Sequence, residues 1–550
     1  MSLYLTKSKY CLAHQCFKIL WLRENKPEVF DETMVNQTVM ETGNKVGDIA
    51  MSLFGEYVEV PYGAPEEMVQ KTADLLAHGS PVIAEASFSF NEKFCSVDIL
   101  KHLAGNEVEI YEVKSSGEVK EIHLIDAAYQ NYVLTKLGFN VKKVCIVHIN
   151  KEYIRHGELD LQQLFKIENV TDAVKEKIPE IENNIEKLTT YMQQTEEPAD
   201  DIGLHCSEPY NCGFWKHCTR HLPRPNVFDI TGRLSRKKKF EFYKLKKSSF
   251  EELKKLDILS PAKLQIEHEL FDLPPHIEKD QIRKFLSGLS YPLYFLDFES
   301  FQPVVPLYDN SFPREQIVFQ YSLHYIESAG GELKHTEFLA KPGNDPRREA
   351  AEQLCRDIPE GVCTIAYNAV FEKGRIKRLA ELYPDLKEHL MAIHNCIQDL
   401  MLPFQQKHYY CREMQGSYSI KQVLPALFPD DPELDYHNLE GVHNGGEASA
   451  AFENMAALSE AEQENVRKQL LNYCKLDTLA MVKIWQKLSS VCNMVTAEQH
   501  STLPEDVKEI ADYPTAYLLD FSDDDEEEGK GKNDSPSESK PDCCNLELFR

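Results

Sequence analysis

Residues 291–301 read YPLYFLDFESF, and they decide the fold of the C-terminal half of this chain. Five of the six residues from Tyr291 to Leu296 are apolar or aromatic, which predicts a buried strand. The strand ends on Asp297 and Glu299, and side chains two residues apart in a strand share one face. Two carboxylates that close repel each other unless a cation lies between them. We therefore expect this strand to begin a cation site.

Two later segments supply groups of the same kind. IAYNAVFEKGRIKRL contains Asn368 and Glu372 after a short apolar run, and LLNYCKLDTLAMVKIW contains Tyr473 and Asp477. The second segment has helical periodicity, so its two polar residues, four positions apart, share one helix face. Oxygen ligands suit hard cations such as Mg²⁺ or Mn²⁺, and a pair of such ions stabilises both reacting oxygens of a phosphodiester. We expect a two-metal centre in which Tyr473 orients or deprotonates the attacking water.

The three segments in order resemble the three motifs of the DnaQ-like exonucleases, which have the RNase H fold. The matching residues are Asp297 and Glu299 in the first motif, Glu372 in the second, and Tyr473 and Asp477 in the third. The resemblance implies that these residues are catalytic. The family usually has aspartate in the second motif, where this chain has Glu372, so Asp399 is kept as an alternative acid.

Asn368 and Lys421 are the candidate substrate contacts of this centre. Lys421 lies in the loop signal SYSIK, and a second loop signal, HNGGEAS, follows at residues 443–449. Either loop can contact a phosphate through backbone N–H groups, and Lys421 can do so through its ammonium. A helix cap or a turn is the more common explanation of such signals.

The N-terminal half contains a second acidic constellation, on two strands predicted at KFCSVDILKHL and EVEIYEVKSS. Asp98 ends one strand, and Glu112 and Lys114 share a face of the next. This arrangement resembles the PD-(D/E)xK nucleases, and within them the RecB-like branch. The resemblance implies that both acids bind metal and that the lysine holds the scissile phosphate. It also matches Glu85 and Gln130 to further polar positions of that branch, and we assign both to substrate binding.

A cysteine-rich loop follows, with the sequence HCSEPYNCGFWKHCTRH. Cys206, Cys212 and Cys218 recur every six residues, a pattern that favours metal ligands over core thiols. RecB-like nucleases that carry an iron–sulfur cluster take one further cysteine from ahead of the nuclease core. That role falls to Cys16, with Cys11 as the alternative. Both cysteines lie in the segment TKSKYCLAHQCFKILWL, which we predict to be one helix capped by Thr6 or Ser8.

Two metal groups remain open for this loop. A 4Fe–4S cluster uses four cysteines, and it is the favoured cofactor. Zn²⁺ bound by three cysteines and one histidine is the alternative, with His205, His217 or His221 as the fourth ligand.

Net charge, apolar runs and cysteine content limit the classes of protein to which this chain can belong. The net charge of −28 excludes a protein that coats nucleic acid non-specifically, although it allows a local basic channel. No apolar run is long enough to cross a bilayer, and the N-terminus lacks a signal peptide, so we expect a cytoplasmic protein without a membrane partner. The fifteen cysteines are then reduced thiols or metal ligands.

We predict two mixed α/β domains, a restriction-endonuclease-like domain followed by an RNase H-like domain. The predicted boundaries are 1–224 for the RecB-like domain with its cysteines, 225–285 for a basic helical connector, 286–490 for the exonuclease-like domain and 491–550 for a mostly disordered acidic tail. In the connector, basic residues alternate with Phe240, Phe242 and Tyr243. This pattern indicates either a nucleic-acid track with stacking aromatics or, as we favour, a helical linker with solvated lysines.

Together these features resemble a bacterial family of unknown function that joins a RecB-like nuclease domain to a DnaQ-like exonuclease domain. The resemblance implies metal-dependent hydrolysis of nucleic acid, with DNA favoured, in repair, recombination or defence. It also leaves room for a helicase or another repair or defence partner. The alternative is a nucleic-acid-binding or scaffolding protein in which one or both centres have lost catalysis.

Overall fold

The computed structural model describes residues 4–34, 37–232, 234–256, 258 and 260–493. Mixed sheets covered by helices make up this part of the chain, so the predicted α/β class is confirmed. None of the helices in these ranges is long and apolar enough to cross a membrane. The acidic tail that the sequence predicts to be disordered lies, from residue 494 onward, outside the described residues.

The N-terminal half is built on a seven-stranded sheet. Its strands are β1 Leu5–Thr6, β2 Val58–Glu59, β3 Val82–Phe90, β4 Lys93–Ala104, β5 Glu107–Lys114, β6 Asn140–Ile149 and β7 Phe165–Asn169. The main path runs β2-β3-β4-β5-β6-β7, and β1 pairs with β4. The β3–β4 and β4–β5 pairs are antiparallel, and the β5–β6 pair is parallel. The two strands predicted to carry the acidic residues are therefore neighbours, as expected.

Helices cover this sheet and extend past it. They are α1 Lys7–Gln15, α2 Phe17–Asn25, α3 Gln37–Met51, α4 Pro65–Ala77, α5 Glu121–Lys136, α6 Leu161–Leu164, α7 Thr171–Tyr191 and α8 Trp215–Cys218. Helix α5 is buried along most of its length, because it lies between the sheet and α7.

The predicted single N-terminal helix is wrong. The helix breaks at Cys16, which has extended backbone angles and separates α1 from α2. Thr6 caps α1 by accepting a hydrogen bond from the N–H of Lys9. The break turns the chain so that Cys16 faces the later cysteine-rich loop, which a continuous helix would not allow.

The connector contains α9 Arg236–Lys244, α10 Phe250–Leu253 and α11 Ser260–Phe271. Phe240 and Phe242 are buried, and the hydroxyl of Tyr243 donates a hydrogen bond to Asp201. Rings that are packed in this way cannot stack on bases, so the interpretation as an aromatic nucleic-acid track is wrong for the two phenylalanines. The lysines of α9 remain mostly solvated, as the linker interpretation expects.

The C-terminal half is built on a five-stranded sheet. Its strands and the nearby short strands are β8 His276–Ile277, β9 Leu293–Phe301, β10 Ile317–Ile326, β11 Lys334–Leu339, β12 Cys363–Ala366, β13 Ile397–Asp399 and β14 Tyr409–Tyr410. The order is β11-β10-β9-β12-β13, while β8 and β14 form a separate pair. The β9–β10–β11 part is antiparallel and the β9–β12–β13 part is parallel. This half is therefore a mixed sheet, in keeping with the mixed α/β domain predicted for residues 286–490.

The helices of this half are α12 Lys279–Ser287, α13 Arg347–Asp357, α14 Val370–Leu382, α15 Lys387–Cys396, α16 Leu402–Gln405, α17 Ile420–Leu427, α18 Gly445–Met455 and α19 Glu460–Val491. Helix α19 begins with a capping box between Ser459 and Glu462. It packs on β9 and β10 through buried residues spaced by three or four positions, among them Leu470, Tyr473 and Asp477. The same spacing that buries α19 therefore brings its polar residues to β9.

The loop between β9 and β10 contacts the N-terminal half. The N–H of Arg155 donates to the carbonyl of Ser311, and the N–H of Asn310 donates to the carbonyl of Arg155. The guanidinium of Arg314 donates to the carbonyl of Ser115, which directly follows β5. The strand that carries the first acidic pair is thus linked by its following loop to the end of a strand in the other half.

Candidate functional site

The C-terminal centre begins on β9, where Asp297 and Glu299 lie on one face. Among the described residues, one group of three has ligand atoms within 4.8 Å of one another, and it consists of Asp297, Glu299 and Cys474. The pairing of β9 with β10 is irregular opposite this pair, between Val318 and Gln320. Such an irregularity re-aims side chains and is common beside active sites.

Glu372 approaches the same pair from the first turn of α14. Its side chain is 2% exposed, and its Oε2 has no hydrogen-bond partner among the described residues. Burial raises the pKa of Glu372 well above its usual range, and the charge of Asp297 raises it further. A buried carboxylate oxygen without a donor is the kind of group that a bound cation satisfies.

Asp399, the alternative to Glu372 as the second acid, has a structural role instead. Its two carboxylate oxygens accept hydrogen bonds from the N–H groups of Asn368, Ala369 and Met401, at 3.0, 3.2 and 2.9 Å. Asn368 has a φ of 68°, a left-handed conformation that needs such support. Asp399 therefore holds the loop that positions Glu372, and the geometry favours Glu372 as the acid of the second segment. The side chain of Asn368 is exposed beside it.

Tyr473 and Asp477 enter from α19, accompanied by two residues from the preceding segments. The hydroxyl of Tyr436 donates a 2.5 Å hydrogen bond to Oδ1 of Asp477. The Nζ of Lys421 donates to the hydroxyl of Tyr473 at 3.1 Å and lies 3.8 Å from Oδ1 of Asp477. The same ammonium lies 3.4 Å from the ring centre of Tyr436. The predicted acids, Tyr473 and Lys421 are thus brought together from β9, α14, α17 and α19, whereas the predicted Asn368 is exposed in the loop before α14.

The charge of the C-terminal centre is strongly unbalanced. Burial raises the pKa of Asp297 and of Glu299, and the neighbouring carboxylates raise both further. Burial also raises the pKa of Asp477, whereas the charge of Lys421 lowers it. Burial raises the pKa of the Tyr473 hydroxyl too, so this tyrosine keeps its proton at neutral pH. Three of the four carboxylates are buried, and Asp297 is half-buried. Among the described residues, the neighbouring cations are Lys421 and, beside Glu372, Arg375. The acids therefore outnumber the cations, an arrangement that favours added positive charge.

Sequence reasoning missed Tyr436 and Cys474 at this centre. Cys474 lies three residues before Asp477 and so shares its helix face. This spacing could have placed Cys474 at the site from the sequence. Nothing local marks Tyr436. The HNGGEAS loop signal does reach the site, because a Cβ added to Gly445 would lie 3.5 Å from Oε2 of Glu299.

The N-terminal centre is formed by β4, β5 and α5. Oε1 of Glu112 accepts a 2.7 Å hydrogen bond from Lys114, and Oε2 accepts one of 2.6 Å from Gln130. Oδ2 of Asp98 accepts from the N–H of Val113 at 2.7 Å. The predicted acid, acid, lysine and glutamine are therefore brought together. Gln130 contacts Glu112, the acid predicted to bind metal, whereas the sequence analysis assigned Gln130 to substrate binding.

Glu85 lies opposite Asp98 on β3. Its φ of 55° is rare for a residue in a strand, and the pairing skips it, since Ala84 pairs with Ile99 and Ala86 with Val97. Burial raises the pKa of Glu85, and Lys7 acts in the opposite direction. The unusual backbone turns this carboxylate toward the other acids, and such conformations cluster at functional sites.

Two further residues at this centre were missed, Lys7 and Asp126. Lys7 contacts Glu112 at 2.9 Å, and Lys114 also forms an ion pair with Asp126. Burial alone would raise the pKa of Glu112, yet Lys114 and Lys7 lower it below its usual range. Burial and the charge of Glu112 raise the pKa of Asp98 to about 7. Asp126 lies one helical turn before Gln130 on the same face, a signal that could have been used.

The cysteine loop forms a small cavity with the N-terminal helices. Cys16, Cys206, Cys212 and Cys218 all line it, together with neighbours that include Lys18 and His205. Cys11 instead packs against the core beneath the first sheet. The structure thus brings together the four cysteines that the sequence selected. Of the alternative histidines, only His205 lines the cavity.

The other two histidines lie away from this cavity. His217 contacts Glu197 at 3.1 Å, and His221 is exposed. Burial raises the pKa of Cys206 to about 12 and that of Cys212 to about 11, so these thiols need a cation to ionise. No three of the four described sulfur atoms lie within 4.8 Å of one another. Four sulfurs on one zinc ion would lie roughly 3.8 Å apart. Four cysteine sulfurs are a ligand set that a 4Fe–4S cluster and a structural zinc ion both accept, so the residues present fit either group.

Comparison with known proteins identifies part of the C-terminal half. Residues 294–419 match a family described as "Domain of unknown function (DUF2779)". This range includes Asp297, Glu299 and Glu372, while Tyr473 and Asp477 lie beyond it. The matched range runs from β9 through β14 along the chain. It thus includes the elements that carry the first two acidic segments.

Two curated relatives match a similar share of the chain. "Uncharacterized protein UU173" of Ureaplasma parvum serovar 3 is 26% identical over 217 residues, which are 36% of this chain and 31% of that protein. "Uncharacterized protein MG366" of Mycoplasma genitalium is 24% identical over 206 residues, 34% of this chain and 31% of that protein. The chain therefore spans about a third of the length of these relatives. No solved structure matches the chain.

Proposed function

We propose that this protein is a divalent-cation-dependent nuclease that hydrolyses phosphodiester bonds, with DNA as the favoured substrate. One observation carries the proposal: four acids from three separate segments meet in a largely buried cluster, where they outnumber the neighbouring cations Lys421 and Arg375. The acids are Asp297, Glu299, Glu372 and Asp477. Burying that many like charges is strongly unfavourable without a compensating function. The order of the three segments, which resembles that of DnaQ-like exonucleases, supports the same reaction and favours digestion from an end.

The acids would hold Mg²⁺ or Mn²⁺, which when bound stabilises charge on the attacking and leaving oxygens of the phosphodiester. Asp297 and Glu299 approach from the sheet, Glu372 from α14 and Asp477 from α19. In the reaction, a water oxygen forms a bond to phosphorus and releases a proton to solvent, the bond from phosphorus to the leaving oxygen breaks, and the leaving oxygen takes up a proton from solvent.

Tyr473 and Lys421 act beside the acids. Burial raises the pKa of the Tyr473 hydroxyl, which favours a role in which this tyrosine orients the attacking water by hydrogen bonding. The ammonium of Lys421, 37% exposed and 3.1 Å from the tyrosine hydroxyl, is positioned to contact a substrate phosphate. Asn368 is exposed in the loop before α14, the helix that carries Glu372, and it remains the second candidate contact for the substrate.

The N-terminal centre forms the second part of the proposal. Asp98 and Glu112 are suited to hold a divalent cation, and Lys114 to contact the scissile phosphate. Gln130 fixes the carboxylate of Glu112 through its 2.6 Å hydrogen bond. The four-cysteine cavity joins the start of this half to its end, so a 4Fe–4S cluster bound there would have a structural role.

A binding or scaffolding role is the second candidate, and one observation favours it. Glu112 is already paired with two lysines at 2.7 and 2.9 Å, so this centre has less need of a cation than the C-terminal one. Loss of catalysis at the N-terminal centre alone would leave a nuclease with one active centre. DNA repair, recombination and defence are the processes in which we expect either form to act, in the cytoplasm and with a helicase as one possible class of partner.

The test is a digestion assay on full-length protein purified without oxygen. End-labelled single- and double-stranded DNA and RNA are incubated with Mn²⁺ and with wild type, Asp297→Asn or Asp98→Asn. We expect Asp297→Asn to abolish the end-dependent ladder, because it removes a central charge while keeping the side-chain shape. Asp430→Asn, at an exposed aspartate of the same half, is the matched control and should digest at the wild-type rate.

The outcomes separate the two candidates. Loss of digestion in Asp297→Asn, with retention in Asp430→Asn, assigns the reaction to the C-terminal centre. Binding of nucleic acid without cleavage by any of the proteins, with Mn²⁺ bound no more tightly by wild type than by Asp297→Asn, would overturn the nuclease proposal and favour the scaffolding role.

A further inference from the structure

Lys7 places an ammonium group among the acids of the N-terminal centre. Its Nζ lies 2.9 Å from Oε1 of Glu112, 3.7 Å from Oδ1 of Asp98 and 3.7 Å from Oδ1 of Asp126. The lysine side chain is only 19% exposed. An ammonium that contacts three carboxylates supplies the positive charge that those carboxylates would otherwise obtain from a shared divalent cation.

The backbone around Lys7 is anchored from several directions. Leu5 and Thr6 pair in parallel with β4, one of the two strands that carry the centre. The hydroxyl of Tyr129 donates a 2.6 Å hydrogen bond to the carbonyl of Leu5, and Thr6 accepts one from the N–H of Lys9. Lys7 is therefore the first residue of a helix that is fixed to the sheet. Its side chain belongs to the centre and is not one of the solvated lysines of the surface.

The two acidic centres differ in how their charge is balanced. In the C-terminal centre, the ammonium of Lys421 stays 3.8 Å from Asp477 and leaves Oε2 of Glu372 without a partner. In the N-terminal centre, Lys7 and Lys114 both lie within hydrogen-bond distance of Glu112. A cation that binds the N-terminal acids must first displace an ammonium, and this displacement lowers its affinity.

We propose that Lys7 is an internal competitor for the divalent cation of the N-terminal centre. The centre then takes Mg²⁺ or Mn²⁺ only as the ammonium withdraws. A withdrawn lysine is left beside the bound cation, where a substrate phosphate is its matching partner. This inference rests on the proposed function, because it takes the acids around Asp98 as metal ligands.

The experiment measures Mn²⁺ binding by full-length protein through the electron paramagnetic resonance signal of the free ion. Asp297→Asn is the background in every sample, so that the C-terminal centre is silenced. In that background we expect Lys7→Gln to raise the Mn²⁺ affinity about tenfold or more, because a positive charge within a few ångströms of the ion is removed. Adding Asp98→Asn should abolish the gain, which places it at the N-terminal centre.

Three variants serve as controls. Lys7→Arg keeps the charge and should bind Mn²⁺ as weakly as the background protein. Lys9→Gln removes a lysine from the same helix that is 41% exposed and pairs with Glu24 at 3.7 Å, and it should change nothing. Lys7→Met is a second neutral variant that retains the aliphatic stem, for use if Lys7→Gln does not fold.

The inference is overturned if the neutral variants bind Mn²⁺ no more tightly than the background, or if their gain survives Asp98→Asn. Failure of the proposed function would be seen elsewhere, as digestion that does not depend on Asp297 or as its absence in the wild type. The titration uses neither digestion nor the C-terminal centre, so the two failures are distinguishable.

Discussion

The sulfur of Cys474 lies 3.8 Å from Oδ2 of Asp297, inside the cluster of carboxylates at the C-terminal centre. Burial raises the pKa of this thiol well above its usual range, and the charge of Asp297 raises it further. A thiol that stays protonated does not compete for Mg²⁺, which prefers oxygen ligands. A thiophilic ion, by contrast, can take the sulfur together with the two carboxylates.

Replacement of Cys474 by serine should therefore change the metal preference of this centre. We expect Cys474→Ser to weaken Cd²⁺ binding about tenfold or more, while Mn²⁺ binding stays within a factor of about three, because only the soft ion uses sulfur. Competition of each ion against Mn²⁺, followed by electron paramagnetic resonance, measures both. Cys363→Ser, at a buried cysteine on β12, is the matched control. Equal Cd²⁺ affinity in wild type and Cys474→Ser would contradict the sulfur contact.

The pH dependence of stability follows from the same carboxylates. Asp297, Glu299 and Glu372 have pKa values that are raised by folding, so the native state binds more protons than the unfolded state above about pH 4. The contribution of these three carboxyls to the free energy of unfolding of the metal-free protein should consequently fall as the pH rises above that point. Each unit of pKa difference corresponds to about 1.4 kcal/mol.

Urea denaturation with a chelator, between about pH 5 and about pH 8, measures this dependence. Asp297→Asn removes one of the repelling charges, so we expect it to be more stable than the wild type at the upper end of this range. Mn²⁺ should raise the stability of the wild type and not that of the variant. A variant that is less stable than the wild type at every pH, or a stability difference between the two proteins that does not grow with pH, would argue against repulsion among these carboxylates.

Gln130 makes a third prediction possible, since its amide donates to Glu112 from a fully buried position. Gln130→Leu keeps the approximate volume and removes the donor, so we expect the free energy of unfolding to fall by about 1–3 kcal/mol. Gln70→Leu is the matched control, because Gln70 is an exposed helical residue that bonds Asp74. It should change stability by less than about 0.5 kcal/mol. Equal effects of the two substitutions would mean that the buried hydrogen bond contributes nothing.

The fourth prediction concerns the cysteine cavity and compares substitutions at two cysteines that lie close together in the sequence. Cys16 lines the cavity, whereas Cys11 packs into the core under the sheet. Protein purified without oxygen should show the broad visible absorption of an iron–sulfur cluster. Cys16→Ala should lose this absorption and melt at a lower temperature, and Cys11→Ala should retain the absorption.

Metal analysis decides what the outcome means for the cofactor. Colourless wild-type protein that contains one zinc ion would contradict the cluster and support a Cys₃His or Cys₄ zinc site. Visible absorption that survives in Cys16→Ala and disappears in Cys11→Ala would show that the fourth ligand has been assigned to the wrong cysteine.

Local patterns in the sequence were sufficient for much of the fold. The apolar run before Asp297 predicted the buried strand β9, and the alternation around Glu112 predicted β5. The three- and four-residue spacing around Tyr473 predicted the helix α19. These predictions succeed because the side-chain periods of a strand and a helix are set by local backbone geometry, which the order of residues records directly.

The choices between equivalent residues required the tertiary structure. Glu372 and Asp399 are both acids of the right kind, and only the hydrogen bonds from three backbone N–H groups to Asp399 separate their roles. Cys16 is separated from Cys11 by a helix break that the periodicity did not predict. Lys7 lies 105 residues before Glu112 in the chain, and its contact with that acid leaves no trace in local spacing. The sequence by itself determined which chemical groups the protein possesses and the elements that carry them. Only the packing of distant segments decided which of those groups meet, because burial and electrostatic interaction depend on distance in space and not on position along the chain.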